Sequence, residues 1–251
     1  MTTTRMKEQL SDWDRAVVAA KLSMHAYKPE KAAIAACKKM GFPWAKLISR
    51  DGAECLVAKD RNDLWFAFRG TEPSKLNDVM ADLKVFRNAA MAGGKVHSGF
   101  QQEVNDLWMD ILKELEHNDQ LKIRKDVYMT GHSLGAAMAT ISATRYRPHE
   151  LFTFGSPRVG GPKFVKNIKC PHFRFMNNND IVCRIPPAWL GFRHHGEMIY
   201  FNRFGERGLP SFADKFYGVI NSWKRFKFFD AIVDHGMPNY VAALENLAKG
   251  K

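Results

Sequence analysis

Residues Asp126–Arg145, DVYMTGHSLGAAMATISATR, decide how the rest of the chain is read. DVYMT is a short β-prone run. Gly131 and Gly135 then bracket a serine, and a run rich in alanine follows. Strand, GxSxG, small-residue helix is the setting of a nucleophile elbow, a sharp turn that forces its serine into strained backbone geometry. Glycine at both flanks keeps such a turn free of clashes. Ser133 then stands at a helix N-terminus, where free N–H groups and the helix dipole favour negative charge. A serine here could merely cap the helix. The strand before it and the small residues after it favour the nucleophile.

Outward from this segment, strand and helix alternate. Leu151–Phe154, His172–Met176 and Met198–Asn202 read as strands, and Met237–Ala248 as a closing helix. Upstream, Ser11–Tyr27 places Trp13, Val17, Ala20, Met24 and Tyr27 at helical spacing, with Ser11 as N-cap. A second helix runs from Glu30 to Met40, stopped by Gly41 and Pro43. Glu54–Ala58 and Leu64–Phe68 read as strands around the turn DRND, Ser74–Phe86 as a short amphipathic segment, and a longer helix starts near His97. Its stripe includes Leu107, Ile111 and Leu115. This rhythm predicts an α/β protein with a largely parallel sheet covered by helices. No linker rich in Pro, Gly or Ser divides residues 1–251, so one domain is expected.

A serine hydroxyl needs a base, and the base needs a carboxylate to orient it. In an elbow-bearing sheet these follow in the order serine, acid, histidine. The later aspartates are Asp180, Asp214, Asp230 and Asp234. Asp180 is preferred, because it follows the run FRFM and an Asn cluster, in a loop on the sheet edge that carries Ser133. His149 and His172 precede that acid. His235, in the loop DHGMP before the last helix, suits the base, with His194 and His195 as competitors. An oxyanion hole needs two donors. The N–H of Leu134 is one; Thr71, in the RGT turn after LWFAF, is the natural second.

The composition is that of a globular protein, with 45% hydrophobic and 25% charged residues. No run nears the roughly 20 apolar residues of a membrane-spanning helix. The N-terminal MTTTRMKEQLSDWDRAVV has charges where a signal peptide has its apolar core. Cys37, Cys55, Cys170 and Cys183 are scattered, without metal-ligand spacing. Together these predict reduced cysteines and a cytoplasmic location, unless a non-classical route exports the chain. The net charge of +12 suits solubility or an anionic surface. No recognised nucleic-acid motif accompanies it.

Taken in order, these motifs resemble the class 3 lipases, the family of the fungal triacylglycerol lipases. FRGTEP with ADL resembles the oxyanion segment and lid, VHSGF the start of the following helix, and GHSLG the elbow. FTFGSPRVGGPKF resembles the strand and turn after the nucleophile helix, and NNNDIVCRIPP the acid loop. HHGEMIYF is similar to a late histidine-glycine strand, and DHGMPNYVAAL to the catalytic-histidine loop. The resemblance implies an α/β-hydrolase fold without metal or organic cofactor. It assigns Ser133 as nucleophile, Asp180 as acid, His235 as base, and Thr71 and Leu134 as oxyanion donors, leaving His194 and His195 structural. The chain differs in Ala136, where glycine is frequent, and in Val79, where a lid tryptophan is usual.

The resemblance implies two-step hydrolysis of lipid esters. Phospholipase or soluble-ester (feruloyl-type) esterase activity is the enzyme alternative, and a catalytically silent lipase-like binding module the non-enzyme one. Leu76, Val79, Met80 and Leu83 share one face of the expected lid helix, a spacing that an ordinary surface helix also shows. In Phe212–Phe229, Lys215, Lys224, Arg225 and Lys227 alternate with aromatics. That mixture suits an anionic lipid surface, whereas Phe216, Ile220 and Trp223 equally suit a core.

Overall fold

The computed structural model describes residues 12–71, 87–90, 93–121, 125–209 and 234–249. The lid residues Leu76, Val79, Met80 and Leu83 and the segment Phe212–Phe229 lie outside them, as do Asp214 and Asp230.

Eight strands form one sheet: β1 (Trp44–Arg50), β2 (Ala53–Lys59), β3 (Asp63–Phe68), β6 (Asp126–His132), β7 (Glu150–Phe154), β8 (His172–Asn177), β9 (Glu197–Phe201) and β10 (Arg207–Gly208), side by side in that order. β3, β6, β7, β8 and β9 run parallel, while β1, β2 and β10 are antiparallel additions. A separate hairpin pairs β4 (Arg87–Ala89) with β5 (Lys95–His97). The sheet is therefore mainly parallel, as the sequence rhythm predicts. The rhythm misses the short β4, β5 and β10, and it misses the seven-residue β1. β1 is an edge strand in which only Ile48 is buried, so its WAKLISR lacks a clear alternating pattern.

Helices cover both faces. On one lie α3 (Ser98–Asp119) and α4 (Leu134–Arg145); on the other lie α1 (Asp12–His25), α2 (Glu30–Lys39) and α6 (Met237–Lys249). A single helical turn, α5 (Pro162–Val165), seats Phe164 in the first layer. Strand alternation divides the core: Leu64, Phe66 and Phe68 point to the α3/α4 side, Trp65 and Ala67 to the α1/α6 side. Burying each large apolar side chain contributes about 1.5–3 kcal/mol.

Two helices show how close packing selects small residues. Every residue of α4 from Gly135 to Ala143 is buried, because α3 presses it against the sheet. The buried residues of α1 are Ala16, Ala19, Ala20, Leu22 and Ser23, and Ala26 just beyond it is buried too. Four of these six are alanines, the small size that close packing on α6 and β6 favours. Of the expected stripe Trp13, Val17, Ala20, Met24 and Tyr27, Ala20 is buried and the other four are half-buried.

Candidate active site

Parallel strands bring their carboxyl ends to one edge of the sheet. Phe68 ends β3, His132 ends β6, Phe154 ends β7 and Asn177 ends β8. The residues just beyond them form the site.

Ser133 joins β6 to α4 with φ 58° and ψ −127°. A side chain held there costs on the order of 1–3 kcal/mol. Three glycines permit the turn by close approach. A Cβ on Gly131 would strike the Gly135 carbonyl, one on Gly135 would strike Phe68 O, and one on Gly70 would strike His132 O and the Tyr27 hydroxyl. Ser133 N–H donates to Phe154 O at 3.0 Å, which fixes the elbow to β7. Leu134 opens α4, so its N–H has no intrahelical carbonyl to reach. The β3 exit passes beside the serine: a Cβ on Gly70 would lie 3.1 Å from Ser133 Cβ, and Thr71 is the next residue. The two expected oxyanion donors thus flank Ser133 on separate segments.

The acid and the base meet directly. His235 Nδ1 lies 2.9 and 3.0 Å from the two Asp180 carboxylate oxygens. A carboxylate only accepts, so Nδ1 carries the proton and Nε2 of the neutral ring is left with its lone pair. That Nε2 is buried without a hydrogen-bond partner. Asp180 is fully buried; it also accepts from Val182 N–H at 2.9 Å and the Tyr240 hydroxyl at 2.6 Å. Burial pushes its pKa up, but the His235 ring and the bonds from His235 and Tyr240 outweigh that and hold it below the ordinary carboxylate value. The same neighbour raises Tyr240 well above the ordinary phenol value, after burial itself, so Tyr240 stays a donor.

Ser133 and His235 form no hydrogen bond in this conformation. They are nevertheless neighbours across the end of β7. Phe154 O holds Ser133 N–H, and a Cβ on the adjacent Gly155 would lie 2.7 Å from His235 Nδ1 and Cε1 and 2.7 Å from Asp180 Oδ2. Gly155, at φ +56°, is the gap that lets the acid–base pair reach the elbow. Catalytic hydrogen bonds are often open in a ligand-free enzyme and tighten on binding substrate. Ser133 is 2% exposed and His235 4%.

Sequence order alone misses three further residues at this site. His132, inside GHSLG, donates Nε2–H to the His235 carbonyl at 2.7 Å. Its Nδ1 accepts from the Tyr27 hydroxyl at 2.8 Å. Burial, then the nearby His235, pushes its pKa down to about 3, so it is neutral. Tyr240 is the third; the closing helix that carries it is expected from the sequence, its reach to Asp180 is not. Asp234, the rejected neighbour of His235, accepts from Asn178 Nδ2 at 2.9 Å and Asn179 N–H at 3.2 Å, tying the histidine loop to the acid loop. His194 donates Nε2–H to Cys183 O at 2.8 Å and His195 meets His172 at 3.1 Å, both away from Ser133. Among the described residues, no three His, Cys, Asp or Glu are arranged to hold a metal.

Residues 65–189 match the family described as Lipase (class 3). A lipase of Rhizopus niveus is 32% identical over 171 residues, covering 61% of this chain and 42% of its own length. A lipase of Rhizomucor miehei is 32% identical over 172 residues, covering 61% and 46%. A secreted mono- and diacylglycerol lipase of Malassezia globosa is 28% identical, covering 65% and 60%. The chain thus spans less than two thirds of these relatives' lengths. Among solved structures, lipase II of Rhizopus niveus shares the fold at TM-score 0.65 and 24% identity, covering 89% of this chain and 92% of its own. The triacylglyceride lipase of Rhizomucor miehei does so at 0.66 and 21%, covering 92% and 94%. By sequence match and by its α/β-hydrolase architecture, the chain belongs to the class 3 lipase family.

Proposed function

We propose that the chain is a serine hydrolase that cleaves carboxylic esters of lipids, acylglycerols first among them. The observation that carries this is His235: its Nδ1–H is held by buried Asp180, its Nε2 is left bare, and its ring lies 4.3 Å from that of His132, the residue before Ser133. His235 Nε2 takes the Ser133 proton as Oγ attacks the ester carbonyl. Asp180 stabilises the imidazolium, and the N–H of Leu134 with Thr71 receives the oxyanion. Protonated His235 then returns its proton to the departing alcohol. Water, deprotonated by the same ring, releases the acid and regenerates Ser133.

The relatives' names, lipase and mono- and diacylglycerol lipase, support the acylglycerol reading. A basic surface supports contact with anionic lipid. The charge is +12, and Trp189, 82% exposed, stands on the turn Ala188–Leu190 just past the acid loop. Four buried free thiols support a reducing, cytoplasmic location.

Replacing Ser133 by Ala tests the central role. Hydrolysis of a p-nitrophenyl ester is expected to fall by roughly 10⁴-fold or more with the circular dichroism unchanged. Retention of most of the activity would overturn the assignment. Rates across ester chain lengths, with and without an emulsified interface, separate lipase from soluble-ester esterase.

A further inference from the structure

On the α3/α4 face of the sheet, away from Ser133, lies a second polar site that the proposed reaction does not use. Its floor is β8, which turns His172 and Arg174 inward; Thr140 and Ser156 flank them, and Arg193, His194 and His195 form the rim. The cavity between them is about 10 Å³, partly open to solvent, and admits about one water-sized species.

Arg174 is the unusual feature. It is 7% exposed, yet its Nε has no hydrogen-bond partner and, among the described residues, no carboxylate pairs with it. A guanidinium keeps its charge when buried, and an unpaired buried charge costs several kcal/mol. Its neighbours add positive charge. Arg158 donates to the carbonyls of Arg184 and Pro186, and Arg193 to those of Ala188 and Phe192. These bonds use one terminal nitrogen of each, and among the described residues neither guanidinium pairs with a carboxylate. Among the described residues, no acidic one lines the pocket.

The histidines respond to this field. His172, His194 and His195 are all held below the ordinary imidazole value, by burial first. Arg174 deepens the effect on His172 and His194, Arg158 on His194, and Lys169 on His195. Cys183, between Arg174 and Asp180, is held as the neutral thiol by burial, so it offers no counter-charge.

We propose that this pocket binds a small inorganic monoanion of chloride's size, held by Arg174 at the floor with the histidine rim as its entrance. A single negative charge compensates the buried guanidinium, and the available space excludes phosphate and larger organic anions. The site goes beyond ester hydrolysis and stands whether or not that reading does.

The test uses the whole chain and needs no activity. Crystals soaked in sodium bromide are expected to show an anomalous peak within about 3.5 Å of the Arg174 guanidinium. In solution, chloride replaces gluconate at constant ionic strength while NMR follows the His195 ring. Its pKa is expected to rise saturably, by roughly 0.5 or more, because a neighbouring anion favours the charged ring. The response is lost in Arg174→Gln. Water at the bromide position overturns the proposal, as does a His195 titration indifferent to chloride, or an equal response to phosphate. If Arg174→Gln does not fold, the two wild-type measurements decide alone.

Discussion

At the scale of single residues, Ser133 combines strain with a nucleophile. Its φ of 58° suits glycine, and its conformation is retained because Gly70, Gly131 and Gly135 leave no other room for the turn. Ser133→Gly is therefore expected to be inactive yet more stable than the wild type, by about 1–3 kcal/mol in urea unfolding. Ser133→Ala keeps the strain and gains nothing comparable. A glycine variant less stable than the alanine variant would contradict this account. GHSLG made the elbow legible. The part played by its second residue was not, because which atoms His132 bonds depends on Tyr27 and His235, each more than a hundred residues away.

At the scale of elements, α6 is a clamp on the acid. Tyr240, its first-turn aromatic, donates to Asp180 and accepts the Asn177 N–H at 3.0 Å. Tyr240→Phe leaves that buried N–H unsatisfied, at about 1–3 kcal/mol. For a chain of this size that lowers the melting point by about 2–4 °C per kcal/mol. It also removes a group that holds the Asp180 pKa down, so the acid limb of the kcat profile is expected to move to higher pH with KM little changed. An unchanged profile would make Tyr240 purely structural. The parallel strands and covering helices were legible because each is a short apolar run or a helical stripe. β1 was not, since an edge strand needs no buried face. Of the buried α1 residues only Ala20 was, because close packing on α6 favours alanine where the helical pattern points to larger side chains.

At the scale of the whole molecule, buried neutral histidines set the response to acid. His132 and His194 are pushed down to about 3, and His172 well below its ordinary value of 6.5. The unfolded chain takes up protons below pH 6.5 that the folded chain refuses, so stability falls as pH falls. Each histidine contributes about 1.4 kcal/mol per pH unit across that window. Asp180, whose folded pKa is depressed, acts in the same direction: its contribution is present above the unfolded value of 3.8 and is lost as pH falls through the folded one. Between pH 6.5 and 5 the three histidines together are expected to remove up to about 6 kcal/mol. The urea midpoint at several pH values checks this, and a flat midpoint over that range would contradict it. The three were visible in the sequence only as loop or strand histidines, because burial is a property of the folded assembly.

The most direct measurement is covalent. A fluorophosphonate probe reacts with a serine only where a base activates it. Incubated with the whole chain and mapped by peptide mass spectrometry, it is expected to give one adduct, on Ser133, which disappears in His235→Ala while the fold persists. An adduct on another serine, or equal labelling of Ser133 without His235, would contradict a nucleophile activated by the His235–Asp180 pair.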